Sequence, residues 1–527
     1  MTTVILFDDN DAIVASFGSI QAAIDAASDG YRILASAGVY NESLTITKGV
    51  TIEGEDLNAD GVPDVIINPA GANGISISGD IDNGGSATVA IIGIEVDGAA
   101  NSGVNIASNT NLSSFVVTNS SFANNGIFGI GAGSGMFDVD SVSITNTTFT
   151  DNGFGGANGA GDIVLFGFVG DATIADVTIT SSATELTAVV SRGDTAIQIT
   201  GRDPVSYDVL GPIGNVVLNN VSVDGWYHKP QLLIQGYTDF NGLTLSGVDL
   251  SGGTSWGDLL FVDPIGTSGD GVPSTPGAPG YFPLTGGSST LDLSGVTINS
   301  GSTGVLGFDS RIRGTDADDS ITGTNGDDLL NDFAETGIDY GGDDVVSGLG
   351  GDDALIGGVG NDTLHGGADT DTAIYTGNSG EYDLAYTSDP NGFVIAFDTV
   401  SDSNAGDGDE GTDTLISVEN ILFVGDGAML STAEPVQLFD QADQLVGTFA
   451  TIQEAVDAAA TDYTIRVSAG TYREQVVVNN VDGLSIIGVG GTVIIEAPDT
   501  LVQTSTCLLY TSPSPRDRTR SRMPSSA

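Results

Sequence analysis

The chain has 527 residues, with 70 Asp and Glu against 13 Lys and Arg, a formal net charge of −57 and one Cys. A lone Cys excludes a disulfide framework and a cysteine-built zinc site. So negative a charge excludes nucleic acid and anionic membrane as expected partners. With 40% hydrophobic residues and a mean hydropathy of +0.13, the chain has the apolar content to fold, over a length that allows several domains. It contains 76 Gly and two Lys, a composition that asks for many turns and for divalent cations to balance its acid.

The chain opens on Met1-Thr2-Thr3-Val4-Ile5-Leu6-Phe7 and runs into Asp8, Asp9 and Asp11. The basic and long apolar regions of a signal peptide are missing. No stretch of 18 apolar residues offers a membrane span, so no membrane insertion is expected. Ile20, Ala23, Ile24 and Ala27 then fall at i, i+3, i+4 and i+7, which predicts a short helix with Ser19 as N-cap and Gly30 as its stop. Strand-like Ile33-Leu34 and Leu44-Thr45-Ile46 follow, around the turn Ala37-Gly38-Val39-Tyr40-Asn41-Glu42. The whole block returns 432 residues later: Val4–Glu42 aligns without a gap on Val436–Glu474, with 20 identities in 39 positions. It resembles the N-terminal cap of pectin-lyase-like right-handed β-helices, in which a helix plugs the open end of the coil and an A-G-x-Y-x-E turn leads into the first rungs.

The loop Asp56-Leu57-Asn58-Ala59-Asp60-Gly61-Val62-Pro63-Asp64 resembles the D-x-N-x-D-G start of an EF-hand site, with Asp56, Asn58, Asp60 and Asp64 as candidate calcium ligands. Its twelfth position is Ile67, so the bidentate Glu is missing. From Ile91 a six-residue template, apolar-x-[Asn/Asp/Gly]-any-x-apolar, recurs seven times, starting at Ile91, Val117, Ile144, Ile174, Leu218, Leu245 and Leu293. The spacings are 26, 27, 30, 44, 27 and 48, consistent with one coil per repeat plus insertions. The third position holds Gly93, Asn119, Asn146, Asp176, Asn220, Gly247 and Gly295, the residue types that accept a left-handed corner. Stacked Asn amides there are expected to bond rung to rung. A β-sandwich is the alternative for such strand content, but it does not hold a 26-residue period.

Cations are absent between Lys48 and Arg192, and then Arg192, Arg202 and Lys229 fall close together beside Tyr227 and His228. A Tyr or His base with Arg or Lys neutralising a uronate would suit proton abstraction from an acidic sugar. The same residues also read as sugar-stacking or loop-bracing groups.

The acidic repeats come next. Gly357-Gly358-Val359-Gly360-Asn361-Asp362-Thr363-Leu364-His365 matches G-G-x-G-x-D-x-U-x at every position, the nonapeptide of calcium-binding RTX proteins. Sixth-position carboxylates recur at Asp319, Asp328, Asp344, Asp353, Asp362 and Asp371, nine apart except across Asp332–Gly337, which reads as an insertion. Gly351, Gly358 and Gly360 permit the positive-φ turns that aim carbonyls and carboxylates at a hard cation. RTX proteins bridge ions between repeats 18 apart, so the resemblance implies Ca2+ between Asp344 and Asp362 and between Asp353 and Asp371. The first repeats depart from the pattern at Thr315, Ala317 and Thr324. The stretch Thr370–Leu430 is similar to the β-rich segments that trail such repeats.

The end of the chain differs from the rest. Cys507–Ala527 carries four of the basic residues, three prolines and the only Cys, and its codons can spell a transposon-end sequencing adapter. The expectation is that natural sequence stops near Thr506 and that 507–527 is a disordered artefact. Without it nine basic and 69 acidic residues remain, a charge of −60.

The reading is thus an all-β chain. It has a right-handed parallel β-helix over 1–310 and an RTX β-roll over 311–375. A β-rich flanking segment spans 376–435, and the start of a second β-helix 436–506. Two functions suit it. One is a secreted, calcium-stabilised surface or adhesive protein that binds a cell-surface glycan or acidic polysaccharide. The other is a polysaccharide lyase or C5-epimerase, although the Asp-Pro-His-Glu motif of mannuronan epimerases is missing here. Type I secretion, with its C-terminal signal beyond this sequence, is what the RTX resemblance implies for export.

Overall fold

A computed structural model describes residues 2–498 except 84, 109, 133–137, 154–159, 169, 183–194, 202–212, 228–230, 236–239, 256–259, 264–289, 293–295, 298–309, 313–317, 331–341, 405–409 and 480. The expected disorder of 507–527 therefore lies outside the described residues. The chain is all-β, with two α-helices among the described residues, and most strands pair in parallel. No described helix is long and apolar enough to cross a membrane. Two compact units emerge, Met1–Asp369 and Thr370–Ala527.

The first unit begins with the helix Ile20–Ala26, capped by the Ser19 side chain, which accepts from the Ala22 N–H at 3.2 Å. Ile20, Ala23, Ile24 and Ala27 are all buried, as their spacing predicts. Gly30 does not stop this helix. The helix ends at Ala27 in extended conformation, and Lys48 Nζ reaches the carbonyls of Ile24, Asp25 and Ala27 at 3.3, 2.9 and 2.7 Å. An ammonium satisfies the orphan carbonyls, so no left-handed glycine cap is required. Gly30 (φ +81°) serves the next turn instead.

The rungs follow the template. Ile91 pairs with Val117, Val117 with Ile144, Ile144 with Ile174, Ile174 with Leu218 and Leu218 with Leu245, all in parallel register. Within Asp138–Thr150 the side chains of Val142, Ile144, Thr147 and Phe149 point inward. Period-two alternation breaks at Asn146 (φ +45°), where the strand bends into a second face. Gly93, Asn119, Asn146, Asp176, Asn220 and Gly247 all have φ between +45° and +64°. Asn146 Nδ2 donates to Asn119 Oδ1 at 2.6 Å, and Asn220 Nδ2 to Asp176 Oδ1 at 2.7 Å. The seventh corner, Gly295, lies outside the described residues.

A second ladder runs inside. Buried Asn125 donates from Nδ2 to Asn152 Oδ1 at 2.9 Å, and Asn152 Nδ2 donates to Phe122 O and Asp162 Oδ1, both at 2.9 Å. Asn125 Oδ1 accepts the Ala99 N–H at 3.0 Å. Phe122 and Phe149 stack beside it, their ring centroids 5.3 Å apart.

Pairing continues without a break into the acidic repeats. Leu260–Asp263 pairs with Ser310–Ile312, that strand with Asp328–Leu330, and that with Ala354–Ile356. This places the repeats up to Asp369 in the same unit as the rungs.

The second unit packs Tyr375, Tyr382 and Phe423 together, with centroids 5.1 to 6.0 Å apart. Burial and the hydrogen bond to Glu410 push the Tyr382 phenol far above its ordinary range. Antiparallel strands Tyr382–Ser388 and Val394–Asp402 precede the second cap. That cap repeats the Glu clamp of the first and adds a capping box, Thr451 with Glu454, where the first has Ala22. Glu42 accepts the Ile20 and Gln21 N–H groups at 2.8 and 3.1 Å, and Glu474 those of Ile452 and Gln453 at 2.9 and 2.8 Å. The Glu of the A-G-x-Y-x-E turn thus holds the helix N-terminus in both copies.

The arginine over the cap's Phe ring shifts between the two copies. Arg32 covers the Phe7 ring at 4.1 Å and pairs with Asp11 at 3.0 Å. In the second cap Arg466, two positions further along the aligned strand, covers Phe439 at 3.9 Å and pairs with Asp443.

Candidate metal centre

Each acidic repeat sets a short strand after a glycine turn, and the carboxylate before that strand points into the fold. Asp319, Asp328, Asp344, Asp353, Asp362 and Asp371 are all 3% exposed or less. The first five are linked rung to rung. The Asp319 N–H donates to Asp344 Oδ1 at 2.8 Å, the Asp328 N–H to Asp353 Oδ1 at 2.8 Å, and the Asp344 N–H to Asp362 Oδ1 at 2.7 Å. The paired residues are 25 apart across the insertion and 18 apart after it. The inserted Asp332–Gly337 itself lies outside the described residues. So do Thr315 and Ala317. Asp371 belongs to the second unit, where its N–H donates to Glu419 Oε2 at 3.0 Å.

The glycines leave room for these carboxylates. A Cβ built on Gly348 would overlap Asp353 Oδ2, and one on Gly357 would overlap Asp362 Oδ2. Gly351, Gly358 and Gly360 have φ of +110°, +95° and +152°. A Cβ on Gly360 would strike Gly342 O of the preceding rung. Asp328 differs from its fellows. Thr324 stands where the repeat has Gly, and its hydroxyl donates to Asp328 Oδ1 at 3.0 Å, with Ser310 Oγ donating to the same oxygen.

A calcium ion fits this donor set. Buried carboxylates are costly without a counter-charge. The sequence has no Lys or Arg between Arg313 and Arg466. Calcium takes six to eight oxygens, and glycine turns supply carbonyls beside the carboxylates. Among the described residues no three His, Cys, Asp or Glu side chains gather around one point. The repeat contributes one buried Asp per turn, so the remaining oxygens around an ion would have to come from the backbone.

A row that the nonapeptide reading overlooked runs alongside. Asp318, Asp327, Asp343, Asp352 and Asn361 each precede a buried Asp. The Asp343 N–H donates to Asp318 Oδ1, the Asp352 N–H to Asp327 Oδ1 and the Asn361 N–H to Asp343 Oδ1, at 3.1, 2.8 and 2.9 Å. The Asp-Asp and Asn-Asp dipeptides were the visible signal for this outer row.

The Asp56 loop is exposed and closed by its own backbone. Asp56 accepts the Ala59 and Gly61 N–H groups at 2.8 and 3.1 Å, Asp60 accepts that of Val62 at 2.9 Å, and Asp64 that of Leu57 at 2.8 Å. Asn58 Nδ2 donates to Asp60 Oδ2 at 2.9 Å. Ile67, at the place of the twelfth ligand, is buried in the core.

Of the cation cluster, Arg192, Arg202, His228 and Lys229 lie outside the described residues. Tyr227 ends the strand Ile213–Tyr227, its backbone paired with Ser255, and its side chain is likewise outside them. No protein-family model matches the chain, and no curated protein is significantly similar to it.

Proposed function

We propose that this is a secreted RTX-type protein whose acidic repeats fold around calcium, and that it serves as a surface or adhesive protein binding glycan. On this reading residues 1–310 are a right-handed parallel β-helix and 311–375 a β-roll. The supporting observation is the column of buried aspartates linked at repeat spacing, with glycines cut away where the carboxylates lie. Asp344, Asp353, Asp362 and Asp371 would hold the ions, with the turns at Gly351, Gly358 and Gly360 supplying carbonyls. Bound calcium would cancel the repulsion between stacked carboxylates and favour the folded state by mass action. Where calcium is scarce the repeats stay unfolded, which suits export before folding. The long parallel faces present an extended surface to a polymer such as an acidic polysaccharide.

Hydrogen exchange on the full chain, in calcium and in EGTA, tests this. Peptides from 318–371 should gain protection with calcium, while those from 88–150 stay protected throughout. Equal protection of 318–371 in both conditions would falsify the calcium reading. Alginate or pectate incubated with the chain should be retained without gaining ultraviolet absorbance. New absorbance would reveal a lyase instead.

A further inference from the structure

Where the rungs pass into the acidic repeats, one turn is built unlike the others. Asp328 is 0% exposed, and both of its oxygens are met from within the chain. Thr324 gives its backbone N–H to Oδ2 at 2.5 Å and its hydroxyl to Oδ1 at 3.0 Å, and Ser310 Oγ donates to Oδ1 as well. The Thr324 hydroxyl is itself held by the Gly326 N–H, which donates to it at 3.1 Å. Thr324 and Ser310 are as fully buried as the carboxylate they serve.

The later turns show the contrast. In the place of Thr324 the next turn on this face has Leu349, left-handed (φ +79°) and 37% exposed, and the repeat after it has Gly358 (φ +95°). Leu349 faces out, whereas Thr324 faces in. Ser310 likewise stands in the aspartate column. It pairs with Asp328, whose N–H donates to Asp353 Oδ1, and on its other side it pairs with Leu260 of the rungs. The strand Ser310–Ile312 also brings Arg311, one of the last two basic residues before Arg466.

We propose that the Asp328 rung is a calcium-independent seed, ordered with the rungs before any ion binds, on which the calcium-dependent repeats then fold. The inference rests on the calcium reading of those later repeats. A buried carboxylate is tolerated when hydrogen bonds satisfy it, and here two hydroxyls and an amide take the place of a cation. An ion approaching Asp328 would meet donor protons where it needs oxygen lone pairs. Asp328 therefore leaves the set of expected ligands. Its strand instead offers a formed edge and an N–H to the Asp353 turn. In a stacked array each repeat is stabilised by its neighbour, so a formed first rung makes folding spread from the rungs outward as calcium arrives.

Hydrogen exchange on the full chain, resolved peptide by peptide within the repeats, provides the test. In EGTA, peptides covering 320–330 should keep part of their protection and exchange about tenfold or more slowly than those from 344–368. Calcium should bring its largest gain to 344–368. Thr324→Val, which keeps the side chain's shape without the hydroxyl, and independently Ser310→Ala should erase the difference in EGTA. Thr324→Ser should retain it. Peptides from 88–150, protected in every variant, check that the rungs are kept. If 320–330 exchanges in EGTA as fast as 344–368 while 344–368 gains protection with calcium, the seed is overturned and the calcium reading stands. A difference that survives both Thr324→Val and Ser310→Ala overturns the seed too. Equal protection of both segments with and without calcium overturns the calcium reading and the seed together.

Discussion

Asn152 shows how much one side chain can carry in a stacked fold. Its carbonyl oxygen accepts from both the backbone N–H and the side chain of Asn125, and its amide serves Phe122 O and Asp162. Asn152→Ala leaves the buried Asn125 N–H and Phe122 carbonyl unmatched, which should cost about 2–3 kcal/mol in chemical denaturation. The Asn125→Ala/Asn152→Ala double variant should cost less than the sum, because the two share a bond. Glu95 illustrates the opposite case. Burial, with Asp97 beside it, raises its carboxyl above the ordinary 4.5. The folded state then binds the proton more tightly than the unfolded one, so stability falls as pH rises from 4.5 through the raised value. Glu95→Gln should therefore raise the thermal midpoint at neutral pH, with the gain closing in acid below the ordinary carboxylate range.

At the scale of elements, the caps are governed by contacts between helix and turn. Seven-residue helices are too short to persist alone. Glu42 and Glu474 each tie two helix N–H groups to the next turn. Glu42→Ala should cost about 1–3 kcal/mol and loosen the first cap, and Glu474→Ala the second, each seen as faster exchange of its own helix alone. The helices and corners were legible because they rest on residue type: the buried face from Ile20 to Ala27, and the left-handed column from Gly93 to Gly247. The Lys48 ammonium that ends the first helix was not legible, since its acceptors lie more than 20 residues away. Nor was the inner Asn ladder, because Asn125 and Asn152 lie beyond the six-residue template and meet only in three dimensions. The arginine above Phe7 and Phe439 keeps its place in space while changing its place in the alignment, which no single sequence column reveals.

At the scale of the whole molecule, charge and periodicity divide the work. Part of the net charge of −57 is structural, in the aspartate columns that calcium is proposed to neutralise, and the rest is spread over the other strands and loops. In the sequence the sixth-position column was plain, while the outer Asp318–Asn361 row showed only as doubled acids whose pairing needs the third dimension. The rungs have a different logic. Ile91 pairs with Val117 and Val117 with Ile144, at offsets of 26 and 27 residues. At the 27-residue step the corner Asn119 meets Asn146, the aromatic Phe122 meets Phe149 and the inner amide Asn125 meets Asn152. A 27-residue repeat duplicated in frame would therefore set Asn against Asn and Phe against Phe once more, whereas losing one residue would misplace Asn146, Phe149 and Asn152 together.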